Sequence, residues 1–115
     1  MFEVIMSLIM KRGDSVNYLA VIPDTFPDGY FTNWSVASQI RTAQYDILVT
    51  SLTCTWADPL TTRNLLVTEI VTTDWKLGKA LIDIQFVRDS DGFTLSTNTL
   101  EIEIVRDITH PDTVV

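Results

Sequence analysis

One cysteine, one histidine, four glycines and four prolines are all that this chain of 115 residues spends on those residue types. A single cysteine, Cys54, excludes an intrachain disulfide, so stability must come from a core or from assembly, and a reducing compartment is the expected setting. A single histidine, His110, excludes a histidine-based catalytic triad and a multi-histidine zinc site within one chain. Basic residues are also scarce: eight Lys and Arg stand against fifteen Asp and Glu, for a net charge of −7. They are scattered, with Lys11-Arg12 as the one adjacent pair, whereas nucleic-acid binding rewards clustered cations. A nucleic-acid partner is therefore not expected. No apolar run approaches the roughly 20 residues that cross a bilayer. The apolar stretch from Val4 to Met10 lacks a basic leader and a small-residue cleavage site, so neither a signal peptide nor a membrane anchor is expected.

What is present is an ordinary globular composition, 46% hydrophobic and 20% charged, long enough for one domain over 1–115. Apolar residues recur at every second position, the pattern of half-buried strands. Val16, Tyr18, Ala20 and Ile22 share one face, and Trp34, Val36, Ser38 and Ile40 the next. Leu48, Leu52, Cys54 and Trp56 follow, ended by Asp58-Pro59 because proline cannot donate to a ladder. Residues 63–71 are rich in strand formers without choosing a face, and a single turn is expected near Thr72 to Leu77. Ala80, Ile82, Ile84 and Phe86 then alternate cleanly. Asp89-Ser90-Asp91-Gly92 predicts a hairpin turn, with Gly92 suited to positive φ. Beyond it Phe93 and Leu95 hold odd positions but Leu100, Ile102 and Ile104 even ones, which predicts a bulge or break near Ser96 to Thr99. Residues 107–115 read as a polar tail. About seven short strands with turns between them predict an all-β immunoglobulin-like β-sandwich, with a small closed barrel as the alternative.

Candidate chemistry is sparse. Cys54 falls on an inward face and reads as a buried thiol. The aspartates gather in turns, where they bond local backbone. Asp89-Ser90-Asp91-Gly92 lacks the further oxygen ligands and closing Glu of a calcium loop, so no metal site is assigned. Arg12-Gly13-Asp14 matches an integrin-binding tripeptide and Asn33-Trp34-Ser35 a glycosylation sequon, but the first reads as a turn and the second as a strand entrance. No catalytic residue and no cofactor are expected, and the chain is read as a non-enzyme. Phe2, Val4, Ile5, Met6, Leu8 and Ile9 are apolar on both parities, as in a strand covered on both faces, so residues 1–10 are a candidate exchanged or interface strand. Tyr30, Phe31 and Tyr45 are candidate ligand-contact aromatics, suited to stacking on a carbohydrate.

Several segments carry a resemblance: Lys11-Arg12-Gly13-Asp14-Ser15, Trp34 to Thr42 with its Ser38-Gln39-Ile40-Arg41-Thr42 ending, Trp75-Lys76-Leu77-Gly78, Ala80 to Phe86, Asp91-Gly92, and Ser96-Thr97 before Leu100 to Val105. Over residues 11–109 the chain resembles small immunoglobulin-like structural proteins of tailed bacteriophages, like the N-terminal domains of baseplate and tail-fibre-associated proteins. The resemblance implies a virion component assembled in the host cytoplasm, a tail or baseplate adaptor that docks other virion proteins as a homo-oligomer or in many copies. A capsid decoration protein and a carbohydrate-binding host-attachment module are the alternatives it implies.

Overall fold

A computed structural model describes residues 9–12, 14–69, 72 and 74–106. They form eight strands: β1 (Ile9–Arg12), β2 (Val16–Val21), β3 (Trp34–Thr42), β4 (Leu48–Trp56), β5 (Asn64–Glu69), β6 (Gly78–Arg88), β7 (Thr94–Ser96) and β8 (Leu100–Arg106). The strands are joined in the order β1-β8-β6-β3-β4-β5-β2, with β7 beside β6. All pairings are antiparallel except β1 with β8.

The strand β4 makes the sandwich. Its first part, to Leu52, pairs with β3, and its second, from Thr53 to Trp56, pairs with β5. The chain thus passes from a layer built on β8, β6 and β3 to one built on β5 and β2. This grouping of third, sixth and last strands against second and fifth is that of a β-sandwich. Strands β1 and β2 lie at opposite ends of the path and do not pair with each other among the described residues, so the sheet stays open and the barrel alternative is set aside.

Alternation puts one row of β2, β3, β5, β6 and β8 into the space between the layers. Ile40 of β3, Leu65 and Val67 of β5, Ala80, Ile82, Ile84 and Phe86 of β6, and Ile102 and Ile104 of β8 are all buried, as are Val16 and Ala20 of β2. Trp75, just before β6, closes the lower end of this core, its N–H bonded to the Thr72 carbonyl in a single turn. The switch of parity after the hairpin falls where the pattern predicts. At Thr97 the chain stops pairing as β7, and the buried threonine takes over the ladder: its N–H donates to the Ile84 carbonyl and its Oγ1 accepts from the Ile84 N–H. Strand β8 then resumes opposite the first half of β6 with Leu100 facing Ile82.

One residue departs from the expected face. Leu48 stands opposite Arg41, because the pairing skips Val49 between Ile40–Thr50 and Arg41–Leu48. The bulge turns Leu48 outward and lets Val49 pack against the core instead.

Candidate functional site

The two ends of the sandwich differ in chemistry. The upper end is made by three connections: residues 22–33 between β2 and β3, 57–63 between β4 and β5, and 89–93 between β6 and β7. Two of them are tied together. The Arg63 guanidinium donates to the carbonyls of Pro23 and Phe26 and to the Asp28 carboxylate, and the Gly29 N–H donates to the Thr61 carbonyl. Gly29 holds φ at 75° with the Leu60 carbonyl 3.1 Å from where a Cβ would sit, so a side chain there would meet backbone as well as strain. Asp58 organises the second connection by accepting from the Thr61 hydroxyl and the N–H groups of Arg63 and Asn64. These bonds, led by that of Thr61, hold its carboxyl below the ordinary carboxylate range.

On this frame sits an aromatic cluster. Phe31 lies in its centre, 1% exposed, with its ring 4.4 Å from Phe86, 5.1 Å from Trp34, 5.2 Å from Phe26 and 5.0 Å from Tyr30. Trp56 stacks beside Phe31 and Phe86. Outward from Phe31 the cluster reaches solvent through Tyr30, Trp34 and Phe93, the last half exposed. The Arg88 guanidinium lies over both Trp34 and Phe93, 5.6 and 4.9 Å from their ring centres, and is held there by a two-bond pairing with Asp91. That pairing drops the Asp91 carboxyl to about 2. Leu60, in the 57–63 connection at the same end, is 90% exposed.

The lower end holds an open cleft of about 530 Å³ between the 43–47 turn and the approach to β6, lined by Tyr45, Ile47, Leu77, Lys76 and Lys79 among others. The charged groups lining it are the two lysines, of which Lys79 also reaches Glu101 at 3.6 Å.

The sequence candidates are distributed unevenly over these surfaces. Tyr30 is part of the upper cluster and partly exposed, while Tyr45 is 82% exposed at the opposite end. Phe31 corrects the expectation for it: a ring buried among five others belongs to the core and cannot stack on a ligand in solvent. The three rings therefore form no common platform. Of the candidate interface strand, Phe2, Val4, Ile5, Met6 and Leu8 lie outside the described residues, and Ile9 opens β1 opposite Glu103. His110 and the 107–115 tail also lie outside them. Arg88, Phe93 and Leu60 were not singled out by the sequence. The available signal was Asp91-Gly92-Phe93, a tight turn that leaves the following aromatic at its rim.

Elsewhere, burial shifts two titratable groups. Cys54 packs against the core and burial pushes its thiol up to about 11. Burial also raises Asp83, which lies on the outer face of β6 in a shallow depression with Gln39 and Asp46. The Ser38 hydroxyl donates to the Asp83 carbonyl and not to a base. Among the described residues no three His, Cys, Asp or Glu side chains stand together as a cation site. No helix of the described residues is long and apolar enough to cross a membrane. Comparison with protein-family models and with curated proteins finds no match to this chain.

Proposed function

We propose that the chain is a non-enzymatic structural module of a tailed-phage virion, a tail or baseplate adaptor that works by docking neighbouring subunits in the assembling particle. The observation that carries this reading is the upper end of the sandwich. Arg63 and Asp58 fix two of its three loops, and Tyr30, Trp34 at the start of β3, Arg88 at the end of β6 and Phe93 form a row of ring and guanidinium contacts. Trp, Tyr and Arg are the residues that dominate protein–protein contacts, and fixed loops lower the ordering cost of making one. The resemblance supports the same reading from another side. Its longest segments coincide with β3 and β6, the strands that pair with each other along the middle of the sandwich. A charge of −7 keeps free subunits apart until they meet their site. For the carbohydrate-binding alternative, Phe31 lies in the core and Tyr45 at the opposite end from Tyr30, so those three rings offer no joint stacking surface.

Deletion of the coding region from the phage tests the proposal, with particles viewed by electron microscopy. Defective tails or baseplates are expected, restored by the wild-type chain and equally by Cys54→Ser and Asp83→Asn variants, since neither group is assigned chemistry. Normal, infective particles without the chain would sink the reading, and so would failure of those two folded variants to restore them.

A further inference from the structure

The two ends of the domain complement each other in the apolar and charged side chains they expose. At the upper end Leu60 of the 57–63 connection and Phe93 of the hairpin tip are exposed. Around them stand Asp24, Asp28, Asp58, Asp89 and Asp91, against two arginines, Arg63 and Arg88, each already paired to one of those aspartates. The lower end is concave and carries the opposite sign where it is concave. The 530 Å³ cleft has an apolar wall of Tyr45, Ile47 and Leu77, with Lys76 and Lys79 as its charged lining, Lys79 being paired to Glu101 as the two arginines are to their aspartates. Tyr45, Ile47 and Leu77 are all exposed in the single chain, as is Leu48 at the foot of β4. Exposed apolar side chains on aspartate-bearing loops suit an apolar cleft set with lysines, and the two lie at opposite ends of every copy.

We propose that copies of this chain associate head to tail, the Asp89–Phe93 hairpin and Leu60 of one copy seating in the lower cleft of the next. The proposal deepens the docking reading and rests on it by naming a second copy as one of the partners. The contact joins two different patches, so it is heterologous: each copy uses its head on one neighbour and its cleft on the other, and the series closes into a ring or continues as a stack. The outer face of β2, β5 and the end of β4 offers a contrasting contact. It shows Leu19, Val21, Thr53, Thr55, Leu66 and Thr68, with no charge among them, and would bring two copies together symmetrically through one patch.

The test is the solution mass of the full chain by light scattering from about 10 µM to about 1 mM, the range in which a contact this small associates. Three variants are compared: Phe93→Asp for the head, a Lys76→Glu, Leu77→Asp double change for the cleft, and Thr55→Lys for the uncharged face. All alter exposed side chains, and circular dichroism confirms the fold of each. Leu60→Asp replaces Phe93→Asp should that variant not fold. The wild type and Thr55→Lys are expected to grow in mass with concentration, and less so in about 0.5 M salt, where ion pairs are screened. The head and cleft variants are each expected to stay monomeric. Mixed in equal amounts they still hold one intact head and one intact cleft, so they are expected to form a two-chain species that grows no further. A wild type monomeric throughout, a monomeric mixture, or association lost with Thr55→Lys but kept in the end variants would each overturn the proposal. A chain that is monomeric in solution yet present in virions would overturn it while leaving the docking module standing.

Discussion

Replacing Phe31 by alanine removes the ring on which the upper end is built. The side chain is 1% exposed and lies within about a ring's width of Phe26, Tyr30, Trp34, Trp56 and Phe86. Returning a buried Phe to water costs about 1.5–3 kcal/mol, and the cavity left among stiff aromatic neighbours raises the total to about 3–5 kcal/mol. Against the ~5–15 kcal/mol that hold such a domain together, that is a large fraction. At roughly 4 °C per kcal/mol for a domain of this size, the thermal midpoint should fall by about 12–20 °C. Urea unfolding followed by far-ultraviolet circular dichroism measures the loss. Near-ultraviolet dichroism reports whether Trp34 and Trp56 keep their fixed surroundings. Tyr45→Ala is the control, because that ring is 82% exposed and its removal should cost within about 0.5 kcal/mol. A Phe31→Ala loss below about 1 kcal/mol would refute the placement of Phe31 in the core and return it to the list of surface aromatics.

Asp58→Ala removes the acceptor for one hydroxyl and two backbone N–H groups, and should cost about 1–2 kcal/mol in urea unfolding. Because the folded Asp58 carboxyl is depressed, its contribution is complete above the unfolded carboxylate range and is lost as pH falls through the folded value; wild type minus Asp58→Ala stability, measured down the acid limb, should shrink there. Thr97→Val leaves the buried Ile84 N–H without its side-chain acceptor, and a loss of about 1–3 kcal/mol is expected by the same assay. The Cys54 thiol, raised to about 11, should resist alkylation at pH 8 in the folded chain and react promptly in denaturant. Its raised value favours the protonated form in the folded state, so its effect on stability is absent below the unfolded value and destabilises as pH climbs from there toward about 11.

How far the fold could be read in advance depended on whether a residue's direction is set locally. Strands β3 and β6 were legible because period-two alternation runs unbroken through Val36 to Ile40 and Ala80 to Phe86, and those rows do face the core. The break at Thr97 was legible for the same reason, since a change of parity must be absorbed somewhere. Leu48 was misread because its direction is set by the skipped Val49, a feature of pairing with β3 that leaves no mark on β4 alone. Phe31 was misread because the 22–33 connection is punctuated like an exposed loop, by Pro23, Pro27 and Asp28-Gly29. What folds it inward is the guanidinium of Arg63, some 35 residues from Asp28. The row of Tyr30, Trp34, Arg88 and Phe93 drew on two segments brought together by the Trp34–Arg88 pairing, and neither segment shows it by itself.

The most direct measurement of the proposed structural role is quantitative mass spectrometry of purified virions, scaled to a tail protein of known copy number. The docking account predicts that the chain is present at a fixed number per particle, in proportion to the tail or baseplate, and that it survives washing in moderate salt. Abundance in the infected cell with none in the purified particle would contradict it.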